Sequence, residues 1–186
     1  STLNFFDPDG DAIQAKGVIV RDLNSNIVQE GDRIDGISSI EVIKSSATFY
    51  NKGGGDGIND LTGATITGQN SSLSLKGSVS GGNFNLKNWK TLKFYQGVED
   101  VNIDANSLGT LDIRGQATNL DVDVNNLLKS SKFYNIDGSE ITAGEIGSFR
   151  ARNVYNTTVA ANIDPVNGIY GDGDDKGLEG KVNTMK

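Results

Sequence analysis

The sequence predicts an all-β chain, a single-stranded parallel β-solenoid with coils of about 19 residues and irregular capping ends. Three observations lead there. Apolar residues return in register every 19 positions over much of the chain. Inside each repeat they alternate with a period of two, which is strand periodicity, because successive side chains on a strand point to opposite faces. The chain also holds 24 Gly against 2 Pro, so Gly and Asn must make the turns.

The columns can be followed from Leu73. One reads Leu73, Leu92, Leu111, Ser130, Phe149. The next reads Leu75, Phe94, Ile113, Phe133, Ala151, within one residue of register. A third is Val79, Val98, Ala117, Ile136, Tyr155, and a fourth Phe84, Ile103, Val122, Ile141, Ala160. A fifth is Trp89, Leu108, Leu127, Ile146, and a weaker sixth is Leu86, Ala105, Val124, Ala143. Leu120, Val122 and Val124 show the alternation within one coil. Two strands and a short third segment at the Trp89 column give each coil three sides, and stacking pairs every strand in parallel with its copy. The stretches 107–111 and 125–130 are expected as corners, not helices.

Before this regular part, segment 36–66 (Ile40, Val42, Ala47, Phe49, Ile66) carries one or two less regular coils. The single domain then divides into an N-terminal cap at 1–35, coils at 36–163 and a C-terminal cap or tail at 164–186. Caps are needed because an open parallel stack exposes strand edges at its ends. Six coils at about 4.8 Å each would make a core of roughly 29 Å.

Composition narrows the function classes. Apolar residues are only 35% of the chain, little for a compact enzyme but enough for a rod whose coils each bury a thin row. Cys and His are both absent, which rules out disulfides, thiolate or imidazole metal sites and His-dependent catalytic triads. No apolar run approaches the roughly 18 residues of a membrane-spanning helix, so no membrane insertion is expected. The net charge of −7 argues against nucleic acid as a partner. A start at Ser1 without a signal peptide suggests a processed protein or an excised domain.

Three acidic stretches are candidate calcium ligands: Asp7, Asp9 and Asp11; Asp56 and Asn59; and Asp172, Asp174 and Asp175. Alternate carboxylates can converge on a hard cation. The second stretch, Gly54-Gly55-Asp56-Gly57-Ile58-Asn59-Asp60-Leu61, resembles one copy of the RTX nonapeptide G-G-x-G-x-D-x-U, with Asn59 where that family usually has Asp. The resemblance covers about eight residues, one half-site. It implies calcium bound between turns of a parallel β-roll in a secreted protein. The repeat as a whole resembles those of secreted parallel β-helix surface proteins, which implies an extracellular or cell-surface location.

The outward columns carry two signs of charge. If Leu73 and Leu75 point inward, Ser74, Lys93, Asp112, Lys132 and Arg150 point out, and beside them Lys76, Tyr95, Arg114, Tyr134 and Arg152. The cations and rings among these (Lys76, Lys93, Tyr95, Arg114, Tyr134, Arg150, Arg152) suit an anionic polysaccharide, since guanidinium pairs with carboxylate and rings stack on sugars. The other strand shows Asn83, Asn102, Asp121, Glu140 and Asn85, Asp104, Asp123, Thr142. Carboxylates one coil apart repel unless something neutralises them.

The sequence therefore supports a non-enzymatic, calcium-dependent structural or adhesion module that assembles with itself through opposite-charge faces. A lattice component, an adhesin segment or part of a tail fibre would fit. The alternatives are a polysaccharide-binding module, or a lyase on an acidic glycan. Parallel β-helices commonly host lyases, but that link is one of fold alone. The only lyase candidates, Asp104, Asp121, Asp123 and Arg114, are expected on different sides.

Overall fold

A computed structural model describes residues 2–7, 10–43, 46–51 and 61–161, with two short strands at 163–164 and 176–177. Among these residues the chain is all-β and contains no helix. Its stacked coils, about 19 residues apart, make a β-solenoid of about 5 turns where the column count suggested six.

The difference lies at the N-terminal end, where the chain is paired antiparallel before it begins to coil. Strands β1 (Thr2–Phe6) and β2 (Ala12–Lys16) form a hairpin, and β3 (Val18–Asp22) follows. β4 (Ile37–Val42) runs antiparallel to β3, and β5 (Ala47–Asn51) antiparallel to β2. On their other edges β4 and β5 pair in parallel with β7 (Thr65–Gly68) and β8 (Ser72–Leu75), which follow the short β6 (Leu61–Thr62). The antiparallel strands thus cover the edges that the first coil would leave open. Phe5 and Phe49, with ring centroids 6.3 Å apart, seal that end of the core.

From there the coils are long ribbons. β9 (Val79–Phe94), β10 (Val98–Thr118) and β11 (Asp121–Asp137) each run round a coil, and β12 (Glu140–Ile146), β13 (Phe149–Tyr155) and β14 (Thr158–Ala161) complete the stack. All their pairings are parallel. β15 (Ile163–Asp164) and β16 (Lys176–Gly177) form a separate antiparallel pair. The stretches 107–111 and 125–130 lie within β10 and β11 and are not helical.

The inward columns are ladders of buried residues. Phe49, Leu75, Phe94, Ile113, Phe133 and Ala151 lie one above another, as do Ile66, Phe84, Ile103, Val122 and Ile141. Most are fully buried, and each large side chain so placed contributes about 1.5–3 kcal/mol. Trp89 is buried too, its indole N–H donating to the Thr91 carbonyl at 2.9 Å.

Four column members differ from the 19-residue arithmetic. β11 carries one extra residue opposite Ala105–Leu108 and gives it back opposite Ile113–Gln116. Ser131, not Ser130, therefore lies between Leu111 and Phe149, and Leu128, not Leu127, faces Leu108 and Ile146. The bulge falls at Asn125–Asn126, where Asn126 Nδ2 donates to Asn106 Oδ1 at 2.9 Å. The last coil is one residue shorter, so Val154 and Val159 occupy the ladder positions assigned to Tyr155 and Ala160.

One corner recurs in every coil. Gly63, Gly81, Asp100, Asn119, Gly138 and Asn156 all take φ between 44° and 69°. Gly, Asn and Asp are the residues that enter this left-handed region most readily. Between coils Asn119 Nδ2 donates to Asp100 Oδ1 (3.0 Å) and Asn156 Nδ2 to Asp137 Oδ1 (3.1 Å). At Gly138 a Cβ would also stand 2.8 Å from Asn119 Oδ1.

Candidate functional site

The parallel ladders bring the outward basic and aromatic residues onto one side. Directly paired along it are Thr48, Ser74, Lys93, Asp112, Lys132 and Arg150. Two residues further along each coil come Lys76, Tyr95, Arg114, Tyr134 and Arg152. Backbone bonds to the coil beneath hold these rungs in place: Lys76 N–H donates to Phe49 O and Tyr95 N–H to Leu75 O, both at 2.9 Å.

The side chains stack as cation on ring. Lys76 Nζ is 3.1 Å from the Tyr95 ring centroid, and Arg114 Cζ lies 4.4 Å from that centroid. Arg152 Cζ is 4.9 Å from the Tyr134 ring, and its Nη1 donates to Tyr134 Oη. Contact with Lys76 is the largest cause holding the Tyr95 phenol below its ordinary pKa; Arg114 and Lys93 add to it against the opposing effect of burial. All seven residues expected from the sequence therefore share this side.

Two features escaped the sequence. Asp112 is buried in the middle of the basic column, its Oδ2 held by Arg114 Nε at 3.2 Å. A groove of ≈ 260 Å³ runs beside it, lined by Asp112, Arg114, Lys132, Tyr134, Arg150 and Arg152 among others. The signal was present as an acid in a column of cations, two residues before an arginine. A second hollow, ≈ 460 Å³, has Lys90 and Lys129 in its lining, but its ring, Trp89, is buried.

The acidic side is equally continuous. Asp104 is paired with Asp123, and Asp121 with Glu140. Burial, then the charges of Asp104 and Asp123, raises the pKa of Asp121; burial, then Asp121 and Asp123, raises that of Glu140. Asp123 Oδ1 accepts from Thr142 Oγ1 at 3.2 Å. Arg114 belongs to the opposite-signed side, where its partner is Asp112, so it does not join Asp104, Asp121 and Asp123.

The calcium candidates fare unevenly. Asp7 is buried, and its Oδ1 accepts from Asp11 N–H at 2.8 Å, closing the turn around Gly10. Arg33 lies against that turn, with Nη2 2.7 Å from where a Gly10 Cβ would stand. Asp9, Asp56, Asn59, Asp172, Asp174 and Asp175 lie outside the described residues, as does the RTX-like stretch up to Asp60. Among the described residues no three acidic side chains converge as a metal site would require. No family model, curated protein or solved structure matches the chain.

Proposed function

We propose that the chain is a non-enzymatic binding and adhesion module of the cell exterior, whose basic, aromatic side holds an acidic polysaccharide. One observation carries this: Lys76, Tyr95, Arg114, Tyr134 and Arg152 recur one per coil with rings and cations in mutual contact. The spacing between coils, about 4.8 Å, is close to the length of one sugar in an extended chain. A polymer lying along the rod would meet a new ring or cation with each residue. Arginine forks suit carboxylates, and Tyr134, half exposed, offers a ring face.

The test is affinity electrophoresis in gels containing polygalacturonate or alginate. The protein should be retarded, and added salt should abolish the retardation. The double variant Tyr95→Ala/Arg114→Ala should migrate freely. Equal mobility of wild type with and without every acidic glycan would overturn the proposal.

A second reading, self-assembly, draws on the opposite-signed side. Asp121 and Glu140 are held above their ordinary pKa partly by neighbouring carboxylates, so a cationic partner there would relieve repulsion. The basic side of another copy, or calcium, would supply it. Light scattering should then show particles that grow with calcium and dissolve in high salt. Monomers indifferent to both would remove this reading and leave the first intact.

A further inference from the structure

We infer that Asp112 sets the specificity of the basic side, its unused carboxylate oxygen accepting a ligand hydroxyl, so that the groove selects acidic sugars over polyanions that lack hydroxyl donors. This inference rests on the polysaccharide reading and narrows it.

Asp112 is the one acid in a column that otherwise runs Lys93, Lys132, Arg150 along this part of the ladder. It is 8% exposed, although its neighbours Arg114, Lys132 and Arg150 are all exposed. Its two oxygens are treated differently. Oδ2 takes the Arg114 Nε–H at 3.2 Å. Oδ1 is shielded from solvent and has no hydrogen-bond partner. A buried carboxylate oxygen without a donor is costly, and native proteins seldom keep one without a use for it.

The surroundings supply the use. Asp112 is part of the lining of the ≈ 260 Å³ groove, and the side chains flanking it in the ladders are the long, flexible ones of Lys93, Lys132 and Arg114. A ligand carboxylate in the groove draws those cations outward. A hydroxyl two or three bonds away on the same sugar then meets Oδ1. Neither group alone identifies a sugar acid; an anion and a donor side by side do. A polyanion without hydroxyls gains the cations but leaves Oδ1 unpaired and meets an extra negative charge. Discrimination of this kind, in which a buried polar group goes unpaired with the wrong ligand, is the effective sort.

The experiment compares a galacturonic acid hexamer with inorganic polyphosphate of similar length, by titration calorimetry at fixed salt. Wild type should prefer the hexamer. Asp112→Ala should weaken hexamer binding about tenfold, the usual scale of one lost charge-assisted hydrogen bond, while polyphosphate binds as well as before or better. Asp112→Asn, which keeps the shape and an acceptor oxygen, should retain part of the preference and guards against a folding defect in the alanine variant. If either variant shifts both ligands by the same factor, Asp112 acts only through its charge and the inference falls. If wild type binds both equally, the inference falls and the polysaccharide reading stands. If wild type binds neither, both fall.

Discussion

The basic and acidic sides of the solenoid are built from the same coils by the same ladder, yet they treat their charges in opposite ways. On the basic side, several charges rest on a neighbour that stabilises them, Lys76 and Arg114 on Tyr95, Arg152 on Tyr134, Asp112 on Arg114, and only Lys132 and Arg150 stand directly opposite each other in the column of Asp112. On the acidic side like stands opposite like, Asp104 to Asp123 and Asp121 to Glu140. The lesson is that a parallel solenoid multiplies whatever a coil presents, attraction or repulsion alike. The basic side, with rings under several of its cations and one Asp112 oxygen unpartnered, suits the ligand proposed above, whereas the acidic side would be relieved by a counter-charge.

The comparison breaks most completely if the coil beneath the basic side loses its core. Phe94 is fully buried between Tyr95 and Lys93 in sequence and packs edge-on against Phe84, with centroids 5.5 Å apart. Phe94→Ala should cost about 3–5 kcal/mol, read as a fall in the denaturation midpoint, and should take the stacking of Tyr95 with it. Gly115→Ala is the next largest. Its Cβ would stand 2.4 Å from the Gln96 carbonyl carbon, so the two coils must part beside Arg114. Overpacking of this kind costs about 1–3 kcal/mol, and glycan retardation should weaken along with stability.

Smaller changes sharpen the contrast without disturbing the fold. Tyr95→Leu removes two cation–ring contacts and should lower stability by about 0.5–1 kcal/mol while reducing glycan binding more than the acidic-side variants do. On that side, Asp121→Asn should raise stability, by about 0.5 kcal/mol at neutral pH, since like charges directly opposite are destabilising.

The pH dependence gives the sign. Asp121 and Glu140 have folded pKa values raised above 3.8 and 4.5, so the native state holds more protons than the unfolded one between those ordinary values and the raised ones. Their repulsion is present in full above the raised values and is lost as pH falls through the window. The gain from Asp121→Asn should therefore shrink on acidification and vanish below about pH 3.8. Thermal melts at several pH values would show it, and a gain that grew at low pH would contradict it.

Much of this was legible in the sequence because a solenoid writes its core as spacing. Leu73, Leu92 and Leu111 needed only counting, and Lys76, Tyr95, Arg114, Tyr134 and Arg152 followed from their inward neighbours. Counting failed where the chain changes length. Two adjacent leucines, Leu127 and Leu128, satisfy the pattern equally, and only the bulge at Asn125–Asn126 puts the second inside. The left-handed corner was also written in the sequence, but Gly, Asn and Asp alternate there (Gly81, Asp100, Asn119, Gly138), so no single residue type marks it. The antiparallel start was not legible, since a strand's partner and direction leave no trace in alternation. Asp112 looked like one more outward polar residue, because burial of a charged group depends on the long side chains around it.

Everything here requires Asn83, Asn102 and Asp121 to lie directly over one another in successive coils. The chain has no cysteine of its own, so paired cysteines can measure that. Neighbouring coils put Cα atoms about 4.8 Å apart, within the range of about 4.4–6.8 Å that a disulfide spans. Asn83→Cys/Asn102→Cys should close a disulfide under mild oxidation. Asn83→Cys/Asp121→Cys, two coils apart, should stay reduced. Failure of the first pair to close, or equal closure of both, would contradict the stacking and the two charged sides with it.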